Sequence, residues 1–175
     1  MVKTFKIRHF LLLWLILNII QAAFMEIHVD EAYYWVYSRF LDWGYYDHPP
    51  MVAVFIKIGT FLTQSELGAR MLSVITNTAA LYFLWKIVER YANNPWLFSC
   101  LYFSFVIFHI FGFITSPDSP LLFFSMLYLY FLSKYVREKK FEWSTVLVLA
   151  VAAAGMMYSK YHGILLLFFS IIGYW

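Results

Sequence analysis

The chain has 175 residues, of which 63% are hydrophobic and 13% are charged, with a formal net charge of +3 at pH 7. Soluble domains are about 45–50% apolar and about 25% charged, so this composition excludes an ordinary soluble domain and favours a protein that crosses a bilayer several times. We expect no nucleic-acid partner. The single cysteine, Cys100, excludes an internal disulfide, and its apolar surroundings predict a buried, inert thiol.

The first apolar segment covers residues 8–26, and a transmembrane helix needs about 20 such residues. Lys3, Lys6 and Arg8 resemble the basic start of a signal peptide, but no clean small-residue cleavage site follows the apolar segment. The pattern therefore predicts an uncleaved first span.

Residues 27–68 form a polar outer loop that contains helical stretches. Residues 30–41 are densely aromatic with a helical pattern, and residues 51–63 are amphipathic. Gly44 and Pro49-Pro50 break the chain between these two stretches. We predict two short helices that lie in the membrane interface instead of crossing it.

The remaining apolar segments predict further crossings, at residues 69–89, 96–114, 120–135, 143–158 and 162–175. The last two are separated because an apolar stretch of about thirty residues is too long for a single crossing. The expected fold is an all-α integral membrane bundle of about five to six transmembrane helices. Because the sequence stops inside the sixth segment, we expect residues 1–175 to be the N-terminal transmembrane module of a longer protein.

The distribution of lysine and arginine predicts the orientation, since positive residues prefer the cytoplasmic side. With the N-terminus inside, nine of these residues fall on the cytoplasmic side, and those outside are Arg39, Lys57, Arg70 and Lys160. The outer side then collects six acidic residues, which are Asp30, Glu31, Asp42, Asp47, Glu66 and Asp118. We therefore expect a cytoplasmic N-terminus and a site on the outer face.

Three polar clusters share that outer face, namely Asp30-Glu31, Asp118, and Lys160 with His162, and Arg70 opens the second span on the same side. Ionisable residues at membrane depth are costly and usually functional. A carboxylate there can act as a general base, and lysine or arginine can hold a phosphate. This combination predicts a site for chemistry on a phosphate-bearing substrate.

Each of these residues also has a structural alternative, which stays open. The acids can cap helix N-termini, and the cations can extend to the lipid headgroups. The histidines His48 and His162 are more often structural hydrogen-bonding partners than ligands. A divalent cation is left open as well, because the spacing of the acids and histidines is not diagnostic.

Four stretches in order resemble one known family, the dolichyl-phosphate-mannose–protein mannosyltransferases of glycosyltransferase family 39. Its bacterial branch includes the lipid A aminoarabinose transferases. The stretches are DEAYYWVYSRFLDWGYYDHPPM at 30–51, LGARMLSVI at 67–75, TSPDSPLLFF at 115–124 and GMMYSKYHGILLL at 155–167. The resemblance covers nearly the whole chain and implies the N-terminal part of a C-type membrane glycosyltransferase.

Such enzymes transfer a sugar from a polyprenyl-phosphate carrier to an acceptor on the outer face of the membrane. By this resemblance, Asp30 is the general base and Glu31 orients the acceptor or donor. The residues implied to bind substrate and carrier phosphate, or to shape the site beside them, are Arg70, Asp118, Lys160, His162 and His48. The resemblance carries over no metal requirement.

The implied location is a bacterial inner membrane with a periplasmic active site. The acceptor is a glycolipid, a glycan or a protein, and its identity stays open. Two other functions also stay open: a transporter or flippase of a lipid-linked anion, and a non-catalytic assembly subunit. The absence of an internal repeat and the placement of charges at one face argue against the transporter.

Overall fold

The computed structural model describes residues 5–173, and within this range the regular secondary structure is all helical, without a strand. The helices are α1 (Ile7–Phe24), α2 (Val29–Arg39), α3 (Met51–Leu62), α4 (Glu66–Val88), α5 (Pro95–Ser104), α6 (Val106–Phe113), α7 (Asp118–Glu138), α8 (Trp143–Ser159) and α9 (Gly163–Ile172). This architecture confirms the predicted all-α membrane bundle. The two short helices predicted in the outer loop are α2 and α3.

Three of the described helices, α1, α4 and α7, are long and apolar enough to cross a membrane. The pair α5 and α6 supplies a fourth crossing if the two helices together form one span. Helices α8 and α9 are apolar but shorter, with 17 and 10 residues. The predicted crossings by α8 and α9 therefore stay predictions, and residues 174 and 175 of the last one lie outside the described range.

The third predicted span, residues 96–114, is not one continuous helix. It breaks at Phe105 into α5 and α6, whose axes differ in direction by 82°. A break inside a bilayer exposes backbone polar groups that need new partners. The His109 ring lies 2.8 Å from the carbonyl oxygen of Phe103, and the Ser104 hydroxyl donates to the Leu101 carbonyl at 2.8 Å. These side chains replace part of the helical hydrogen bonding that is lost at the bend.

Cys100 is exposed on α5, so the prediction of a buried thiol was wrong. Helix α5 buries only Ser99 and Tyr102, and the rest of its surface is left open. An apolar sequence around a cysteine does not predict burial within the protein when the surrounding helix faces lipid.

The termini of the helices meet at two opposite ends of the bundle. Arg70, at the start of α4, donates to the Ala22 carbonyl at the end of α1. Lys160, at the end of α8, contacts Asp118 at the start of α7. We call this the acidic end; its exposed or half-buried acids include Asp30, Asp47 and Asp118.

The opposite end, the basic end, collects the other helix termini. Arg90, just after α4, donates to the Ser133 hydroxyl of α7 at 3.0 Å. Phe5 packs edge-on against Trp96 at the start of α5, with ring centroids 5.4 Å apart. Helix α1 therefore runs toward the acidic end, whereas α4 and α7 both run away from it, and the α5–α6 pair returns the chain between them. Which end faces the cytoplasm stays a prediction, and Lys3 lies outside the described residues.

A close crossing of α3 and α4 positions the loop helices on the bundle. Gly59 of α3 faces the backbone of Gly68 at the start of α4, and a β-carbon on Gly59 would overlap the Gly68 carbonyl. The contact is with backbone, so the neighbour cannot turn aside as a flexible side chain would.

We expect Gly59→Ala to destabilise the protein by about 1–3 kcal/mol, because overpacking forces the two helices apart. Thermal unfolding in detergent measures the loss. The matched control is Gly44→Ala, since a β-carbon at Gly44 meets nothing within 4 Å. Equal melting temperatures for the two variants would contradict the predicted close crossing.

Candidate active site

The first site residues lie at the start of α2, where the chain turns out of α1. The His28 ring accepts a hydrogen bond from the backbone N–H of Asp30, and the Glu31 carboxylate accepts one from the backbone N–H of His28. This reciprocal capping fixes the first turn of the helix. Successive side chains on a helix point about 100° apart, so the two adjacent acids face different surroundings. The Asp30 side chain is 72% exposed, whereas that of Glu31 is 1% exposed.

Glu31 forms a buried, two-pronged ion pair with Arg70. The Arg70 Nε donates to Oε1 of Glu31 at 2.9 Å, and Nη2 donates to Oε2 at 2.6 Å. Both side chains are 1% exposed. Such parallel donation fixes direction as well as distance.

The remaining N–H groups of Arg70 bind backbone carbonyls at the end of α1. Nη1 donates to Ala22 at 3.2 Å and to Met25 at 2.6 Å, and Nη2 donates to Glu26 at 2.8 Å. A guanidinium carries five N–H donors, and all five are used within the described residues. Arg70 is therefore engaged in holding the backbone at the acidic end.

Glu31 connects a further segment to this centre. Its Oε1 accepts the backbone N–H of Thr115 at 2.8 Å, in the turn between α6 and α7. The Thr115 hydroxyl also donates to the Ser73 hydroxyl of α4 at 2.8 Å. One buried carboxylate thus connects α2, α4 and the loop that carries Asp118.

Asp118 and Lys160 form a second ion pair at the same end. The Lys160 Nζ lies 2.8 Å from Oδ1 and 2.9 Å from Oδ2 of Asp118, and both side chains are partly exposed. The structure thus brings together two residues that are 42 positions apart in the sequence. Unlike Arg70, this lysine is partly exposed, and within the described residues one of its three N–H donors is not used.

Tyr34 lies within the electrostatic reach of the exposed acids. Burial raises the pKa of its hydroxyl to about 12, and the negative charges of Asp30 and Asp47 add to the effect, with smaller contributions from Tyr33 and Asp118. The hydroxyl thus stays protonated at physiological pH and can donate a hydrogen bond. The charges of three carboxylates, from α2, from the turn before α3 and from α7, therefore all act on one tyrosine.

A cluster of tyrosines around Asp47 is the feature that the sequence analysis missed. The Tyr37 hydroxyl donates to Asp47 at 3.0 Å and lies against the Tyr33 hydroxyl. Its ring stacks on Tyr45 with centroids 3.9 Å apart. Burial and these hydrogen bonds raise the pKa of Tyr37. The signal that could have indicated Asp47 is its position directly before His48 in the first matched stretch.

The two histidines of the prediction lie in different surroundings. His48 is half-buried, with its ring edge-on to Tyr34 at a centroid distance of 5.6 Å and its Nε2 3.8 Å from the Asp47 carboxylate. His162 is exposed at the start of α9, and its ring has no hydrogen-bond partner within residues 5–173. His48 thus belongs to the cluster around Tyr34, while His162 lies two positions beyond Lys160.

A metal site has no support from the arrangement of ligands. Across the part of the chain that the structure describes, no three side chains of His, Cys, Asp or Glu lie close enough together to hold an ion. Asp30 and Glu31 point apart, and Asp118 is engaged by Lys160. Whether a divalent cation takes part stays open, as it was in the sequence analysis.

Similarity to a curated protein covers part of the chain. The chain is 39% identical over 70 residues to the lipid A galacturonosyltransferase RgtD of Rhizobium johnstonii. The match covers 39% of this chain and 15% of that protein, so the chain spans a small part of the length of this relative. No solved structure matches the chain significantly.

The family comparison covers most of the chain. The profile of the dolichyl-phosphate-mannose-protein mannosyltransferase family matches residues 47–175. The matched region contains Asp47, Arg70, Asp118 and Lys160, and it begins after Asp30 and Glu31. Since the match extends over more than half of the sequence, the chain belongs to the dolichyl-phosphate-mannose-protein mannosyltransferase family.

Proposed function

We propose that this chain is the catalytic N-terminal part of a membrane glycosyltransferase, which moves a sugar from a polyprenyl-phosphate carrier to an acceptor at the acidic end. Membership of the family and the similarity to a lipid A galacturonosyltransferase support sugar transfer. The clustering of acids and cations at one end of an apolar bundle supports a donor whose phosphate lies at the membrane surface. The orientation that we propose places this end in the periplasm.

The observation that carries the proposal is the contrast among the carboxylates. Glu31 is buried against Arg70, Asp118 is held by Lys160, and Asp47 accepts hydrogen bonds from tyrosines. Asp30 is exposed beside these fixed groups, and within residues 5–173 its carboxylate has only His28 as a close partner, with Nδ1 3.7 Å from Oδ2. A carboxylate without a cation or hydroxyl donor keeps its acceptor capacity for a proton.

The proposed reaction is a single displacement. The acceptor hydroxyl oxygen forms a bond to the anomeric carbon, and its proton passes to Asp30. The bond between the anomeric carbon and the phosphate oxygen breaks, and its electron pair leaves on the polyprenyl phosphate. Positive groups placed where this charge develops lower the barrier.

The geometry favours Lys160 over Arg70 as the positive group that stabilises the leaving phosphate. Every N–H of Arg70 is occupied by Glu31 or by backbone carbonyls, whereas Lys160 is partly exposed. We propose that Arg70 and Glu31 position the loops and that Lys160, with Asp118 and His162 near it, receives the carrier phosphate. We propose that His48, which lies between Tyr34 and the Asp47 carboxylate, helps to position Asp47.

We expect Lys160→Gln to raise the KM for the lipid-linked donor about tenfold, because a charge-assisted hydrogen bond to phosphate contributes about 1.5–3 kcal/mol. Initial rates at varied donor concentration measure the change. The control is Lys57→Gln, which removes an exposed cation from α3. An unchanged donor KM in Lys160→Gln would remove Lys160 from the phosphate site.

The donor class is tested by measuring sugar transfer in proteoliposomes that contain the longest natural form of the chain. A panel of radiolabelled polyprenyl-phosphate sugars is compared with the corresponding nucleotide sugars. The proposal expects label in the acceptor from a polyprenyl-phosphate donor only. Transfer from nucleotide sugars alone would refute the proposed donor.

A transporter or flippase of a lipid-linked anion is the second candidate, and one observation favours it. Broken helices at membrane depth are typical of transporters, and α5 and α6 form such a broken pair. The break carries no acidic or basic side chain other than His109, while the charges lie at the two ends. This placement favours the enzyme.

A further inference from the structure

The ring of Tyr34, on α2, is held in place by two other helices. The side chain is 8% exposed, and it forms a buried cluster with Val52 and Ile56 of α3 and Ala69 of α4. The His48 ring lies edge-on to it, at a centroid distance of 5.6 Å. Closely packed side chains have few alternative rotamers, so the protein fixes the direction in which the Tyr34 hydroxyl points.

The hydroxyl of Tyr34 differs from those of the neighbouring tyrosines. Tyr33 and Tyr37 donate to the Asp47 carboxylate, and Tyr45 donates to a backbone carbonyl. Within residues 5–173 the Tyr34 hydroxyl makes no hydrogen bond, although a buried tyrosine usually finds a partner. This hydroxyl is not sealed off either. The side-chain atoms in that range that are both enclosed and unpartnered belong to other residues, Asn18, Trp35 and Ser116.

Three carboxylates act on this accessible hydroxyl. In addition to burial, the charges of Asp30, Asp47 and Asp118 raise its pKa, so it stays protonated at physiological pH. The carboxylates repel an anion, which makes the Tyr34 hydroxyl a poor site for the carrier phosphate. A hydroxyl group of a sugar is suited to it, because the sugar oxygen can accept from the tyrosine while its proton is donated to a carboxylate.

The proposed displacement also indicates where the sugar lies. The acceptor oxygen enters beside Asp30 and the carrier phosphate leaves beside Lys160, so the transferred sugar lies between these two groups. Asp30 is one helical turn before Tyr34 on the same face of α2. Asp118, whose charge also reaches Tyr34, is the ion-pair partner of Lys160. Tyr34 is therefore influenced from both sides of the space that the sugar occupies.

We propose that the Tyr34 hydroxyl donates a hydrogen bond to a ring hydroxyl of the transferred sugar. Tyr34 is then a binding residue that helps to select the sugar, in addition to the residues that act on the acceptor and the phosphate. This inference rests on the proposed glycosyl transfer and adds a contact to the donor sugar.

The first test is the variant Tyr34→Phe, which keeps the packed ring and removes the hydroxyl. Its melting temperature in detergent is expected to equal or exceed that of the wild type, because the hydroxyl has no partner to lose within the described residues. Its kcat/KM for sugar transfer is expected to fall about tenfold, the effect of one lost hydrogen bond. The matched control is Tyr46→Phe, which removes a fully exposed hydroxyl and is expected to change neither quantity.

Deoxy sugars then test the contact itself. The longest natural form of the chain is assayed in proteoliposomes with the polyprenyl-phosphate esters of glucose, galactose, mannose and galacturonic acid. Monodeoxy analogues of the transferred sugar follow. One analogue is expected to lower the wild-type kcat/KM about tenfold. With that analogue, Tyr34→Phe is expected to lose nothing further, because the two changes remove the same hydrogen bond.

Two results would overturn the contact while leaving the proposed transfer in place. One is an equal kcat/KM for Tyr34→Phe and the wild type. The other is the same proportional loss in Tyr34→Phe with every analogue, which a general structural effect would give. A wild-type protein that transfers none of the four sugars would refute the proposed function, and this inference with it.

Discussion

Replacing Asp30 by asparagine is expected to lower the turnover number for sugar transfer by a factor of about 10²–10⁴, the usual contribution of a positioned general base. The amide has nearly the same shape but cannot accept the proton of the acceptor hydroxyl. The melting temperature and the donor KM are expected to stay near wild type, because the Asp30 side chain is 72% exposed and pairs with only His28 among the residues that the structure describes. Initial rates and thermal unfolding of the purified protein measure both.

The matched control for this variant is Asp42→Asn. Asp42 is another exposed acid of the outer loop, and its Oδ1 accepts the backbone N–H of Trp43 at 2.7 Å. Its rate is expected to stay within a factor of about two of wild type, since loss of one exposed charge has a small effect. Equal rates for Asp30→Asn and wild type would show that Asp30 is not the base.

Breaking the buried pair between Glu31 and Arg70 is expected to have the largest effect on stability. Removing one partner of a buried ion pair costs about 3–5 kcal/mol, because the other charge is left without compensation. Glu31→Gln leaves the guanidinium uncompensated, and Arg70→Lys cannot supply five donors. Unfolding in detergent measures the loss, and transfer is expected to fail because the loops move apart.

A partly exposed pair at the basic end is the control. Glu89 lies 2.6 Å from Lys86, and Glu89→Gln is expected to change stability by less than about 1 kcal/mol. A stable Arg70→Lys protein with a raised donor KM would contradict the positioning role and favour direct phosphate binding, as the sequence resemblance implied. A loss of stability in both Arg70→Lys and Glu31→Gln would support the positioning role.

The transmembrane architecture could be predicted because lipid imposes simple requirements. Residues 8–26 and 120–135 were predicted as spans, and the structure has helices over Ile7–Phe24 and Asp118–Glu138. Long apolar segments between polar turns leave few alternatives, since backbone groups in a bilayer must bond within a helix. The two loop helices, α2 and α3, could also be predicted, because Gly44 and Pro49-Pro50 mark the break between them.

The break at Phe105 could not be predicted by the same rules. The sequence around it contains neither glycine nor proline, which are the usual signals for a kink. At the bend, the His109 ring and the Ser104 hydroxyl bond to backbone carbonyls of the preceding turn. When side chains take over backbone hydrogen bonds in this way, the hydrophobic periodicity of the sequence does not change, so the break cannot be recognised from it.

The candidate site was predicted at the level of its loops but not in its internal contacts. Asp30 and Glu31 are adjacent in the sequence, yet one is exposed and the other is buried. Helix geometry separates their directions, but only packing decides which of them meets Arg70. The roles assigned to these residues from the resemblance stay predictions.

The contacts of Asp47 could not be predicted from the sequence either. Its partners Tyr33 and Tyr37 lie 14 and 10 positions earlier in the chain, so only the turn between α2 and α3 brings them together. The same turn brings His48 against Tyr34. The aromatic residues of α2 therefore do more than anchor a helix at the membrane interface.

The most direct test of the account uses a polyprenyl-phosphate sugar labelled with tritium in the sugar and with phosphorus-32 in the phosphate. The longest natural form of the chain and its Asp30→Asn variant are compared in proteoliposomes. The account predicts that the wild type separates the two labels, with tritium in the acceptor and phosphorus on the carrier, while the variant leaves them together. Movement of both labels across the membrane on one molecule, or equal separation by the two proteins, would contradict it.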